Sequence, residues 1–239
     1  MIEYELMLPD GRTLQFQFDP SRPQAASGTN LPHWTLLEHK QCPGCPLAGK
    51  VQRCPAAVGA KEIIEAFKDV ASTGQLLVTV TTPQREMRCH VDAQTAVRSM
   101  LGLALASSGC PELTPLRPLA VHHLPFADVQ ETLFRTVGAW MVRQYFEQKQ
   151  GREPDFALVK LHEYYDRLQI VNRAFFGRVE AAVNQDANAN AVGQWFSMAA
   201  LVSMSLEEGL EDLEGLFAPP KSVVDDFETS RVPQTTGNR

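Results

Sequence analysis

The chain has 239 residues, 44% hydrophobic and 21% charged, with a formal net charge of −6 and a pI near 5.5. That balance belongs to a soluble globular protein with apolar material for one sizeable core or two small ones. No Lys/Arg cluster runs along a predicted helix, which argues against nucleic acid as a partner, and no stretch approaches the roughly 18 uninterrupted apolar residues of a membrane span.

Ile2, Tyr4, Leu6 and Leu8 alternate with polar neighbours, Pro9-Asp10-Gly11 supplies turn chemistry, and Leu14, Phe16 and Phe18 resume the alternation. This pattern predicts a β-hairpin with one buried face. It is also unlike a signal peptide, which has a basic start and an apolar run. An odd number of cysteines, five, with no export signal implies reduced thiols and a cytoplasmic location.

A polar, Pro-rich connector over residues 20–33 leads to HKQCPGCPLAGKVQRCP. Here His39, Cys42, Cys45 and Cys54 fall within sixteen residues, spaced H-x2-C-x2-C-x8-C. Structural zinc takes four ligands in a tetrahedron from Cys thiolate and His imidazole. Pro43-Gly44 suits the sharp turn that lets a C-x2-C pair reach one ion. Three thiolates weaken the ion as a Lewis acid and no general base accompanies the loop, so the site reads as structural. An iron–sulfur cluster is the alternative, with Cys110 of the Ser-Gly-Cys-Pro turn as its fourth ligand, since Cys42, Cys54 and Cys110 each precede a proline. Small buried hydrophobes holding no metal are the plain alternative.

Residues 56–71 carry Ile63, Ile64, Phe67 and Val70 on one stripe and predict a helix ending at Gly74. Residues 77–81 and 87–91 flank Pro83-Gln84 as a second hairpin. Beyond residue 93 the reading is helical. One helix runs through Val97, Leu101 and Leu105 to Ser108. A proline-rich link follows, and then a helix from Asp128, with Glu131 as its capping-box partner, to about Gln150. The next, capped by Asp155, places Leu158, Leu161, Tyr165, Leu168, Phe175, Val179 and Ala182 at heptad spacing with Asn172 among them, as for packing against the preceding helix. A helix over 187–202 and a short acidic one opening at Ser205 complete the set. The expected fold is α+β: a small four-stranded antiparallel sheet with an inserted Cys-rich metal loop and one helix (1–92), a bundle of about five helices (93–217), and a disordered tail (218–239).

Arg117, His122 and His123 lie in the link between sheet and helices, where polar residues can line a pocket. The plain reading gives Arg117 an acidic partner and the histidines backbone hydrogen bonds. Asp186 either caps the helix after it or, with Asn190 on the same face, bonds a ligand or a neighbouring helix.

The ordered blocks HKQCPGCPL, CPAA, FKDV, SSGCP, RPLAVHHLPFA, ETLFR, QYF and DANANA resemble a family of uncharacterised bacterial proteins catalogued as a domain of unknown function. The resemblance covers roughly residues 30–215. It implies that His39, Cys42, Cys45, Cys54, Cys110, Arg117, His123, Arg135, Asp186, Asn188 and Asn190 stand at signature positions, whereas His122 and Cys89 depart from the pattern. It carries no activity, but it gives weight to a polar pocket between sheet and helices.

Three functions follow in order. The first is a cytoplasmic binding or adaptor protein with a structural zinc. The second is an enzyme on a small anionic substrate held by Arg117 and Arg135, with His123 as acid/base. The third is an iron–sulfur redox or sensor protein. The expected partner is a protein or a small anionic ligand, and nothing in the chain speaks to oligomeric state.

Overall fold

The computed structural model describes residues 1–22, 31–182 and 186–217. The proposed tail and most of the connector before the cysteine segment lie outside these residues. Strands β1 (Ile2–Met7), β2 (Thr13–Phe18), β3 (Gln75–Thr81) and β4 (Glu86–Asp92) form one antiparallel sheet in the order β2-β1-β3-β4. The two predicted hairpins are therefore joined through β1 and β3. The register pairs Tyr4 with both Phe16 and Val80, and Leu6 with Val78. Period-2 alternation puts Ile2, Tyr4, Leu6, Phe16, Phe18, Leu76, Val78 and Val80 on one buried face.

That face packs under helices α1 (Pro55–Ala66) and α2 (Ala93–Ala106). Helix α1 stops at Ala66, short of the predicted Gly74. Phe67 leaves helical geometry at φ −106 and ψ 7, and farther on the Ser72 amide and hydroxyl both donate to the Asp186 carboxylate, at 2.8 and 2.9 Å. The proline-rich link is not wholly irregular, since Arg117–Val121 forms a short helix, α3. Its Pro118 lies in the first turn, where the missing N–H costs nothing.

Helices α4 (Val129–Lys149), α5 (Val159–Glu180) and α6 (Asp186–Glu207) are the long members, and Glu211–Glu214 adds a short turn, α7. The capping box at the head of α4 is complete. The Glu131 amide donates to Asp128 Oδ1 at 2.8 Å, and the Asp128 amide to Glu131 Oε2 at 3.0 Å. Asp155 acts four residues ahead of α5: its carboxylate accepts from the Val159 and Lys160 amides, with Leu158 in the left-handed region (φ 61).

Helix α5 packs chiefly on α6, which follows it, while Tyr165 of its heptad stripe also reaches Thr136 of α4, hydroxyl to hydroxyl at 3.2 Å. Small buried residues of α6 (Ala187, Ala191, Ala199) let the two backbones approach closely, while α4 buries only Leu133, Thr136 and Gln144. Ser205 to Glu207 close α6 and do not open a separate helix.

Losing an N-cap side chain costs typically about 1 kcal/mol. Asp128→Ala is expected to lower unfolding free energy by about that amount in urea titration, with Asp128→Ser retaining most of it.

Candidate metal centre

Trp34 to Leu37 and Gln52 to Cys54 run antiparallel and close the cysteine loop. Leu37 N donates to Gln52 O, Cys54 N donates to Thr35 O, and Leu36 bridges to Arg53. Inside the loop the Cys45 amide donates to Cys42 O at 3.1 Å, around Gly44 with φ +66. Only glycine enters that conformation without strain. Cys54 is the N-cap of α1, extended at φ −74 and ψ 116, as the proline after it requires. Cys110 leaves the end of α2 through Gly109, at φ +78, and its carbonyl accepts from Leu113 and Thr114.

These three segments bring Cys42, Cys45, Cys54 and Cys110 to the wall of one small, largely enclosed cavity of about 20 Å³. All are free thiols, as is Cys89 on β4. The lining does not include His39. Its ring meets His33 edge-on at 5.1 Å, and its shielded Nε2 has no hydrogen-bond partner. Burial holds this imidazole below the ordinary histidine range, and His33, Arg178 and Lys40 add to the effect. Among the described residues, no group of three or more His, Cys, Asp or Glu is drawn together as around a bound ion. The four cysteines share the cavity wall.

The cavity also holds a residue that sequence reasoning missed. Arg178 of α5 is 1% exposed and donates to the carbonyls of Trp34, Leu36 and Leu37 at 3.0, 2.6 and 2.7 Å. It forms no ion pair among the described residues, and a buried cation without a counter-charge is costly. The thiols are the candidate anions. Burial, and then Cys54 and Cys45, push the Cys42 thiol up to about 11 against the pull of Arg178 and Arg167. Cys110 is also pushed up to about 11, by burial first. Both are therefore protonated and poorly nucleophilic at neutral pH. At the rim, Arg167 grips the Glu112 carboxylate through Nε and Nη2 and donates to Gly44 O. One signal in the sequence marks the set: each of the four cavity cysteines, Cys45 included, precedes a proline, and Cys89 does not.

The other candidates separate. Arg117 donates to Pro20 O and Ser21 O, tying the link to the end of β2. Asp186, besides Ser72, accepts from Asn190 Nδ2 at 3.2 Å, and Asn188 Nδ2 donates to Ile64 O. That stretch fastens α6 to α1. His123 and Arg135 do meet, at a second cavity of about 130 Å³ among α2 to α6. There His123 Nε2 lies 2.5 Å from the Tyr4 hydroxyl, which lies 2.8 Å from Ser99 Oγ.

Residues 2–218 match the family described as domain of unknown function DUF6901. The chain belongs to that family. The match agrees with the block resemblance and spans both the sheet and the helices of this DUF6901 chain. No curated protein and no solved structure matches it. No described helix is long and apolar enough to cross a membrane.

Burial, reinforced by Arg135, pushes the His123 imidazole of the DUF6901 chain down to about 4 from an ordinary 6.5. Between those values the unfolded chain binds a proton that the folded chain refuses, so stability is full above the upper value and falls toward the lower. The loss by pH 4 should be on the order of 2–3 kcal/mol. Urea midpoints at about pH 7 and about pH 4.5 should diverge less in His123→Gln than in the parent.

Proposed function

We propose that the protein is a binding protein whose sheet and helices are joined through a structural zinc held by Cys42, Cys45, Cys54 and Cys110. The observation that carries this reading is four thiols, from three separate segments, on the wall of one cavity that also holds a buried guanidinium with no ion pair among the described residues. Four thiolates around a divalent ion leave a net charge of −2, and Arg178 faces it from the α5 side. The ligand set is thus four sulfurs, with Cys110 in place of His39.

The cavity's size favours one ion over a cluster. About 20 Å³ admits roughly one water-sized body. The iron–sulfur reading uses the same four cysteines but needs a larger core between them. A fully thiolate zinc has no open position and is a poor Lewis acid, so it binds together the parts of the fold and does no chemistry. The enzyme reading keeps His123 and Arg135 at one cavity but loses Arg117, which does not line it and bonds the Pro20 and Ser21 carbonyls through Nε and Nη2.

Protein purified without oxygen should be colourless and hold one zinc per chain by elemental analysis. Cys110→Ala should lose the metal or bind it at least tenfold more weakly, whereas His39→Ala should keep it. A brown protein containing iron and sulfide, or zinc loss in His39→Ala with retention in Cys110→Ala, would overturn this assignment.

A further inference from the structure

Helix α2 is apolar along nearly its whole length and carries a single charged residue, Arg98. Arg98 is half-buried and lines the cavity of about 130 Å³ among α2, α3, α4, α5 and α6. It donates no hydrogen bond and forms no ion pair among the described residues. Asp92, whose charge acts on Arg98, is itself committed to capping α2 through the Thr95 amide and to the Gln94 side chain. An arginine so placed has desolvated much of its guanidinium without gaining a hydrogen bond or a close ion pair among the described residues, an arrangement that an anionic ligand would complete.

The rest of the cavity defines that ligand. Arg135 also lines it. Its Nη2 is engaged by Leu119 O and His122 O, which leaves Nε and Nη1 without partners among the described residues. His123 presents a neutral ring whose Nε2 is committed to Tyr4, leaving Nδ1. No aspartate or glutamate belongs to the lining, and the remaining wall is mostly leucine, alanine, valine and aromatic carbon, closed on one side by Trp195. A cavity near 150 Å³ with apolar walls takes a molecule the size of benzene. Two arginines and no carboxylate select a negative charge, and the walls select an apolar body of about six carbons.

We infer that this cavity is a binding site for a small apolar carboxylate, an acid of about the size of benzoate, with its carboxylate on Arg98 and its body against Gly102 and Trp195. Gly102 lets the Trp195 indole approach α2: a methyl group there would stand in ordinary van der Waals contact, 3.8 Å from the indole nitrogen. Trp195 also lines the cysteine cavity, so one indole separates the two sites. The inference does not depend on which metal, if any, the cysteines hold.

The test is calorimetric titration of the full chain with benzoate, benzamide and acetate. Benzoate should bind saturably. Benzamide has the same ring without the charge, acetate has the charge without the ring, and each should bind at least tenfold more weakly. Arg98→Met keeps the aliphatic stem and removes the guanidinium. It should weaken benzoate at least tenfold while leaving the thermal midpoint close to the parent's, and Arg98→Lys should recover part of the loss. Tryptophan emission should change with benzoate in the parent, and that response should disappear in Trp195→Phe. Equal binding of benzoate and benzamide, undiminished benzoate affinity in a folded Arg98→Met, or no saturation by benzoate into the millimolar range would each overturn the site.

Discussion

A buried guanidinium organises this molecule. Arg178 stands in the last turn of α5 and donates to three backbone carbonyls, those of Trp34, Leu36 and Leu37. Those carbonyls belong to the segment that opens the cysteine loop, so one side chain fixes the loop against α5. Its charge remains, however, and carbonyl dipoles alone compensate a buried cation poorly. In the proposed zinc site the cysteines across the cavity would supply what is missing, because a divalent ion would displace their protons at neutral pH. Loop, helix and proposed site would then be three parts of one electrostatic arrangement.

The same arrangement explains why the cysteine segment has so little regular structure. Residues 38–51 contribute few members to the hydrophobic core, and their order rests on short turns, on the Leu36–Arg53 bridge and on Arg167 at Gly44. A four-thiolate centre would add covalent-strength restraints to the turn around Gly44, the head of α1 and the exit of α2 together. The sheet's helical cover and the bundle meet there. On the far side of α2, at Arg98, the protein has room for a ligand.

Much of the scaffold was legible from residue patterns because it obeys short-range physics. Period-2 alternation from Ile2 to Phe18 places one face of the sheet, and Asp128 with Glu131 forms the box its spacing announces. Departures arise where distant groups intervene. Ser72, past the end of α1, is held by Asp186, far along the chain. The heptad stripe of α5 shows that the helix buries one face, but the choice of α6 as its partner depends on the small residues of α6. At the candidate site, the C-x2-C turn and Cys54 were visible by spacing, and Cys110 by its proline. The location of His39 outside the cavity was not, because spacing cannot say which way a side chain on a turn points. Arg178 was invisible for a related reason: an arginine on an amphipathic helix looks solvated until the packing is known. Arg98 left a trace, as the one charge in an otherwise uncharged helix.

The most direct test of the four-thiolate account is X-ray absorption at the zinc edge on protein purified anaerobically. Four sulfur neighbours at about 2.3 Å and no nitrogen shell are expected. Three sulfurs with one nitrogen at about 2.0–2.1 Å would return His39 to the site and remove Cys110 from it, contradicting the account.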